Sequence, residues 1–97
     1  MTKYYDAITE TFKEIPESMY YILSNDTFMS NWGKSDNKIN VCIVPCENKE
    51  QCGKVMRYLK TRSDQKYIRK VIHKPRARKD VIYSLIPNWL NIAMEMN

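Results

Sequence analysis

The residues of this chain best suited to metal or thiol chemistry are its three cysteines, Cys42, Cys46 and Cys52, and its single histidine, His73. Three thiolates and an imidazole match the donor set of a tetrahedral zinc centre. Structural zinc sites, however, are built on a tight Cys-x-x-Cys pair, and no such pair occurs here. No metal is therefore expected: Cys42 reads as a strand core residue, Cys46 closes that strand, and Cys52 joins the apolar stripe of a helix. A thiol nucleophile would need His73 within hydrogen-bond reach, and the spacing gives no reason to bring them together. Asp6, Glu10 and Glu14 recur at i, i+4, where a solvated helix face is the ordinary reading and an acid–base pair the rarer one. Gly33 and Gly53 are the only glycines, so no glycine-rich loop is present to cradle a phosphate. Neither a catalytic residue nor a cofactor is expected, and the chain reads as a binding protein rather than an enzyme.

The sharpest chemical signal is charge. Between Lys54 and Lys79 eleven lysines and arginines face one acid, Asp64, whereas the first 26 residues hold Asp6, Glu10, Glu14, Glu17 and Asp26 against Lys3 and Lys13. Such asymmetry points to a polyanionic partner, chiefly nucleic acid, whose phosphates need several cations on one surface. Arg57, Lys60 and Arg62 at a helix end, with Lys74, Arg76, Arg78 and Lys79 across the strand ends, are the expected contacts. Tyr58, Tyr67 and Tyr83 lie among or beside them and could stack on bases. A merely solvated basic face is the competing reading, although the charge is denser than solubility requires.

These groups must be positioned by a small framework. Ninety-seven residues fit one domain, residues 1–97, and 43% hydrophobic content with 11% aromatics is too rich for a disordered segment. The start of the chain has no apolar leader behind Lys3, and the longest apolar stretches are too short to span a bilayer. With an odd number of thiols, a reducing cytoplasm is the expected compartment.

Tyr4, Ala7, Ile8, Phe12 and Ile15 are spaced for a first amphipathic helix over residues 4–15, ended by Pro16. A strand follows from Met19 to Leu23, then a long polar loop to Lys38. Ile39 to Val44 is a second strand, covered on both faces and stopped by Pro45. Asn48 and Gln51 have capping-box spacing, and Cys52, Val55, Met56 and Leu59 give a helix over residues 49–61 with a basic outer side. Lys66 to Lys74 is a third strand, expected to pair in parallel with the second through a right-handed crossover. Val81 to Ile86 is a fourth, and Pro87 opens a terminal helix bearing Trp89, Leu90, Ala93 and Met94. The fold class expected is α+β: a small mixed sheet of about four strands with helices mainly on one face.

The loop Asp26-Thr27-Phe28-Met29-Ser30-Asn31-Trp32-Gly33, followed by Asn40, Pro45-Cys46 and Arg62-Ser63-Asp64-Gln65-Lys66-Tyr67-Ile68, resembles a group of small bacteriophage proteins that share a D-T-F-M-S-x-W-G loop. The resemblance covers about residues 24 to 74 and transfers no catalytic residue. It implies a phage-type accessory role, and two alternatives stay open. The favoured one is an inhibitor of a host nucleoprotein defence machine, anti-CRISPR-like, acting in the host cytoplasm through the basic surface; the other is a direct nucleic-acid binder with little sequence preference. Trp32 is counted with the seven cations as a candidate contact, although anchoring of its indole on the core beside Phe28 is the favoured reading.

Overall fold

A computed structural model describes residues 3–6, 9–27 and 39–96. The first segment departs from the helical expectation. Lys3–Asp6 (β1) and Thr11–Glu14 (β2) pair antiparallel, with Tyr5 opposite Phe12 and Tyr4 opposite Lys13. Aromatic and β-branched residues lose side-chain freedom in a helix and pack well across strands. Here the Tyr5 and Phe12 rings meet edge to face at 5.3 Å, Lys13 reaches Asp6 at 2.9 Å, and Glu10 turns the chain with φ of 56°.

The main sheet contains Tyr20–Asp26 (β3), Ile39–Cys46 (β4), Gln65–Val71 (β5) and Val81–Leu85 (β6) in the order β5-β3-β4-β6. β3 is antiparallel to both β4 and β5, and β4 is parallel to β6. The crossover after β4 therefore does join two strands of like direction, but β3 lies between them. The parallel neighbour of β4 is β6. Pro45 does not stop β4: it stands opposite Tyr21, and the strand runs on to Cys46. Pairing with β6 ends at Ile43, so β4 is an edge on that side by the time Pro45 is reached, and a missing N–H is tolerated there.

Among the described residues, Lys49–Lys60 (α1) and Asn88–Glu95 (α2) are the two full helices. Asn48 caps α1 by accepting from the Gln51 N–H at 2.9 Å, while the Gln51 side chain accepts from the N–H of Glu47 at 2.7 Å, one residue beyond the usual capping-box partner. Strand alternation divides the core into two layers. Ile22, Cys42, Val44 and Cys46 pack against Cys52, Val55 and Leu59 of α1 and Trp89 and Ala93 of α2. On the opposite face Tyr21, Leu23, Val41, Ile43 and Tyr83 pack with Ile15, and Tyr4 of the N-terminal hairpin packs against this cluster. The protein is of mixed α+β class, with both helices on one face of the four-stranded sheet. The chain goes from β4 to β5 across the helical face. It returns from β5 to β6 through residues 72–80 across the other, where Arg76 O accepts from Tyr83 Oη at 2.8 Å. Opposite directions on opposite faces give both crossovers the same hand, which strand twist favours.

Candidate nucleic-acid interface

β5 is one of the two edge strands of the sheet, and its composition shows why it tolerates that place. Gln65 is buried and Ile68 and Val71 are half-buried, while Lys66, Tyr67, Arg69 and Lys70 are exposed. Charged side chains on an edge discourage pairing with another chain. By register Lys66 stands opposite Asn25 and Arg69 opposite Leu23, which puts both on the face away from the helices. Lys70 stands opposite Ile22 and lies over the Tyr20 ring at 5.6 Å, on the helical face.

A bulge interrupts this ladder. Pairing jumps from Leu23↔Arg69 to Asn25↔Lys66, so Tyr67 and Ile68 together oppose Ser24. Tyr67 takes φ of 55°, the left-handed region, and its side chain is 75% exposed. Arg69 Nη1 donates to the Tyr67 carbonyl at 2.7 Å and to Asn25 Oδ1 at 3.2 Å, bracing the bulge. Beneath it Ser24 Oγ donates to Gln65 Oε1 at 2.6 Å in the buried layer.

Past Val71 the basic stretch continues around a shallow concave groove of about 460 Å³ lined by residues 70–76. Ile72 and His73 are exposed there. Lys74 Nζ is 2.9 Å from Glu17 Oε1, and this hydrogen bond holds the ammonium above its ordinary pKa.

The expected contacts are sorted by this geometry rather than gathered. Arg57 and Lys60 are exposed in the last turn of α1. Arg62 is engaged within the fold: it grips Asp64 with two nitrogens, donates to Tyr58 Oη at 3.0 Å and lies over Trp89 at 4.8 Å. These bonds, Asp64 first and Tyr58 second, raise the guanidinium pKa further, and the same contact holds the Asp64 carboxyl below the usual carboxylate range. Lys74 sits at the opposite end of the sheet, beside the segment leading into β3. Arg76 lies on the crossing face, and Arg78 is 3.6 Å from Asp80 at the start of β6. Arg76 and Lys79 are exposed and form no ion pair with another described residue. Trp32 lies outside the described residues.

The three tyrosines separate as clearly. Tyr83 is buried, which raises its pKa, and Tyr58 is held between Arg62 and Trp89. Tyr67 alone of the three is open to solvent. The cations missing from the expected contacts are Lys66, Arg69 and Lys70. The available clue was a strand with charged residues at consecutive positions, which suits a sheet edge and not an interior strand.

All three thiols are free and buried on the helical side of the sheet, and burial pushes Cys42 and Cys46 up to about 12. Among the described residues, no group of three His, Cys, Asp or Glu side chains is placed to hold a metal ion, and no helix is long and apolar enough to cross a membrane. Comparisons with known protein families, with curated proteins and with solved structures each find no match to this chain.

Proposed function

We propose that this chain is a non-catalytic binding protein that engages a polyanion, nucleic acid in the first instance, through the edge strand β5 and the basic segment that follows it. One observation carries the reading. From Lys66 to Lys79 the chain presents Lys66, Arg69, Lys70, Lys74, Arg76, Arg78 and Lys79 without an intervening acid, on an edge strand and the crossing that continues it. A row of cations along one edge neutralises successive phosphates and releases their counterions, which gives affinity without sequence preference.

The likeness of the residue 26–33 loop to small bacteriophage proteins supports a second form of the same reading. In it the polyanion is carried by a host nucleoprotein defence complex of CRISPR type. The chain inhibits that complex in the host cytoplasm by occupying the path of guide or target strand.

A salt titration of binding to labelled DNA and RNA tests the first form. Neutralising six phosphates of a duplex gives a slope of about −5 in log affinity against log salt concentration. Capture from host lysate with and without nuclease separates the two: a host complex retained after nuclease supports direct inhibition, and one lost after nuclease shows that nucleic acid bridges it. No binding to nucleic acid at about 50 mM salt, together with no captured host protein, removes both.

A further inference from the structure

We infer that Tyr67 is a stacking platform for one unpaired base, which makes single-stranded nucleic acid the preferred ligand of the β5 edge; this rests on the polyanion-binding reading above. The argument begins with a mismatch between residue and backbone. A bulge residue at positive φ is ordinarily Gly, Asn or Asp, because a Cβ crowds the following carbonyl in the left-handed region. Tyrosine is among the poorer choices for φ of 55°. Such strain persists where something else is gained. Within the fold the ring gains little, since Tyr67 is 75% exposed, the most open large hydrophobic among the described residues. Tyr58 and Tyr83 show the contrast: both use their hydroxyls and rings inside the protein.

The surroundings fit a nucleotide. Lys66 and Arg69 stand on one face on either side of the bulge, opposite Asn25 and Leu23, about 7 Å apart along the strand. Among the described residues both hydrogen bonds of Arg69 use Nη1, so within them Nε and Nη2 remain to meet a phosphate. Its bond to the Tyr67 carbonyl fixes the cation relative to the ring. An aromatic face flanked by two cations binds any base by stacking and its phosphates by charge. In a duplex both faces of each interior base are already stacked, so the ring has nothing to cover unless a base is extruded.

The test uses a labelled mixed-sequence single strand of about 15 nucleotides, as DNA and as RNA, and the DNA duplex of the same sequence. The full chain is compared with Tyr67→Asn, which suits the left-handed backbone but lacks the ring, and with Tyr67→Phe, which keeps it. Tyr67→Asn is expected to lose roughly tenfold in single-strand affinity, to keep its duplex affinity, and to melt no lower than the parent; Tyr67→Phe retains single-strand binding. An unchanged single-strand affinity in Tyr67→Asn, or an equal loss for duplex, overturns the inference while leaving polyanion binding intact. A lower melting temperature in Tyr67→Asn also overturns it, because the ring would then be an element of the fold. Failure of the parent to bind either probe defeats both readings.

Discussion

The Arg62 guanidinium meets the Asp64 carboxylate through two parallel bonds, Nε to Oδ1 at 3.0 Å and Nη2 to Oδ2 at 2.9 Å. Its third bond goes to Tyr58 on α1, and its plane lies over Trp89 on α2, so one side chain joins both helices to the entry of β5. Arg62→Ala is expected to lower stability by about 1–2 kcal/mol through loss of a bidentate pair and of packing on the indole, with nucleic-acid affinity little changed once the variant is folded. Urea denaturation and a binding titration on the same sample check this; a binding loss without destabilisation would return Arg62 to the contact surface.

The same pair sets a pH dependence. The Arg62 hydrogen bond holds the Asp64 carboxyl below its ordinary value, so the unfolded chain takes up this proton at a higher pH than the folded one. The contribution is complete above the unfolded carboxylate pKa of about 4 and is lost as pH falls through the lower, folded value. Asp64→Asn should flatten the acid limb of a stability–pH profile there and leave the neutral plateau lower. An acid limb identical to that of the parent would show that Asp64 is not a source of the acid sensitivity.

At the alkaline end the thiols act in the opposite direction. Burial keeps Cys42 and Cys46 protonated to about 12, whereas an unfolded thiol ionises near 8.5. Their contribution is fully present below about 8.5 and declines as pH rises toward 12. Iodoacetamide at about pH 8 should therefore label the native protein slowly and the urea-unfolded protein at all three cysteines. Rapid labelling of the native state at Cys46 would mean that the β4–α1 contact opens locally.

Gly53 offers a test of α1. It is exposed within the helix, and a Cβ built there meets no atom within 4 Å. Gly53→Ala should stabilise by about 0.5–1 kcal/mol by removing backbone freedom from the unfolded chain, read as a higher urea midpoint at unchanged slope.

The helix α1 was legible because two independent signals coincide on it: the cap at Asn48, and the stripe of Cys52, Val55, Met56 and Leu59. The apolar runs of β3, β4 and β6 were legible for a similar reason. The N-terminal segment was not, since Tyr4, Phe12 and Ile15 fit helical spacing while Tyr4, Tyr5, Thr11 and Phe12 also suit strands. A segment that short is decided by what it packs on, here the face bearing Tyr83 and Leu23. Strand order was hidden because nothing local in Lys66–Lys74 says which edge it joins. For the site, the charge density was visible and the pairing was not: Lys74 meets Glu17, far away in sequence, and Tyr67 gives no warning of a left-handed backbone.

That pairing makes the cations unequal, and their inequality can be measured. Lys79 and Arg76 are exposed without an ion-pair partner among the described residues, whereas Lys74 and Arg78 each have a carboxylate within 4 Å. A free cation adds its whole charge to the phosphate contact, while a paired one must first give up Glu17 or Asp80. Single changes to glutamine at Arg76 and Lys79 should each reduce the salt slope of binding by about 1 and lower affinity uniformly across sequences. Lys74→Gln and Arg78→Gln should change the slope by less, because a cation already neutralised by a carboxylate displaces fewer counterions when it meets a phosphate. Equal slope changes for all four would mean that the Glu17 and Asp80 pairs dissolve when the ligand binds, and that these four cations act as one surface.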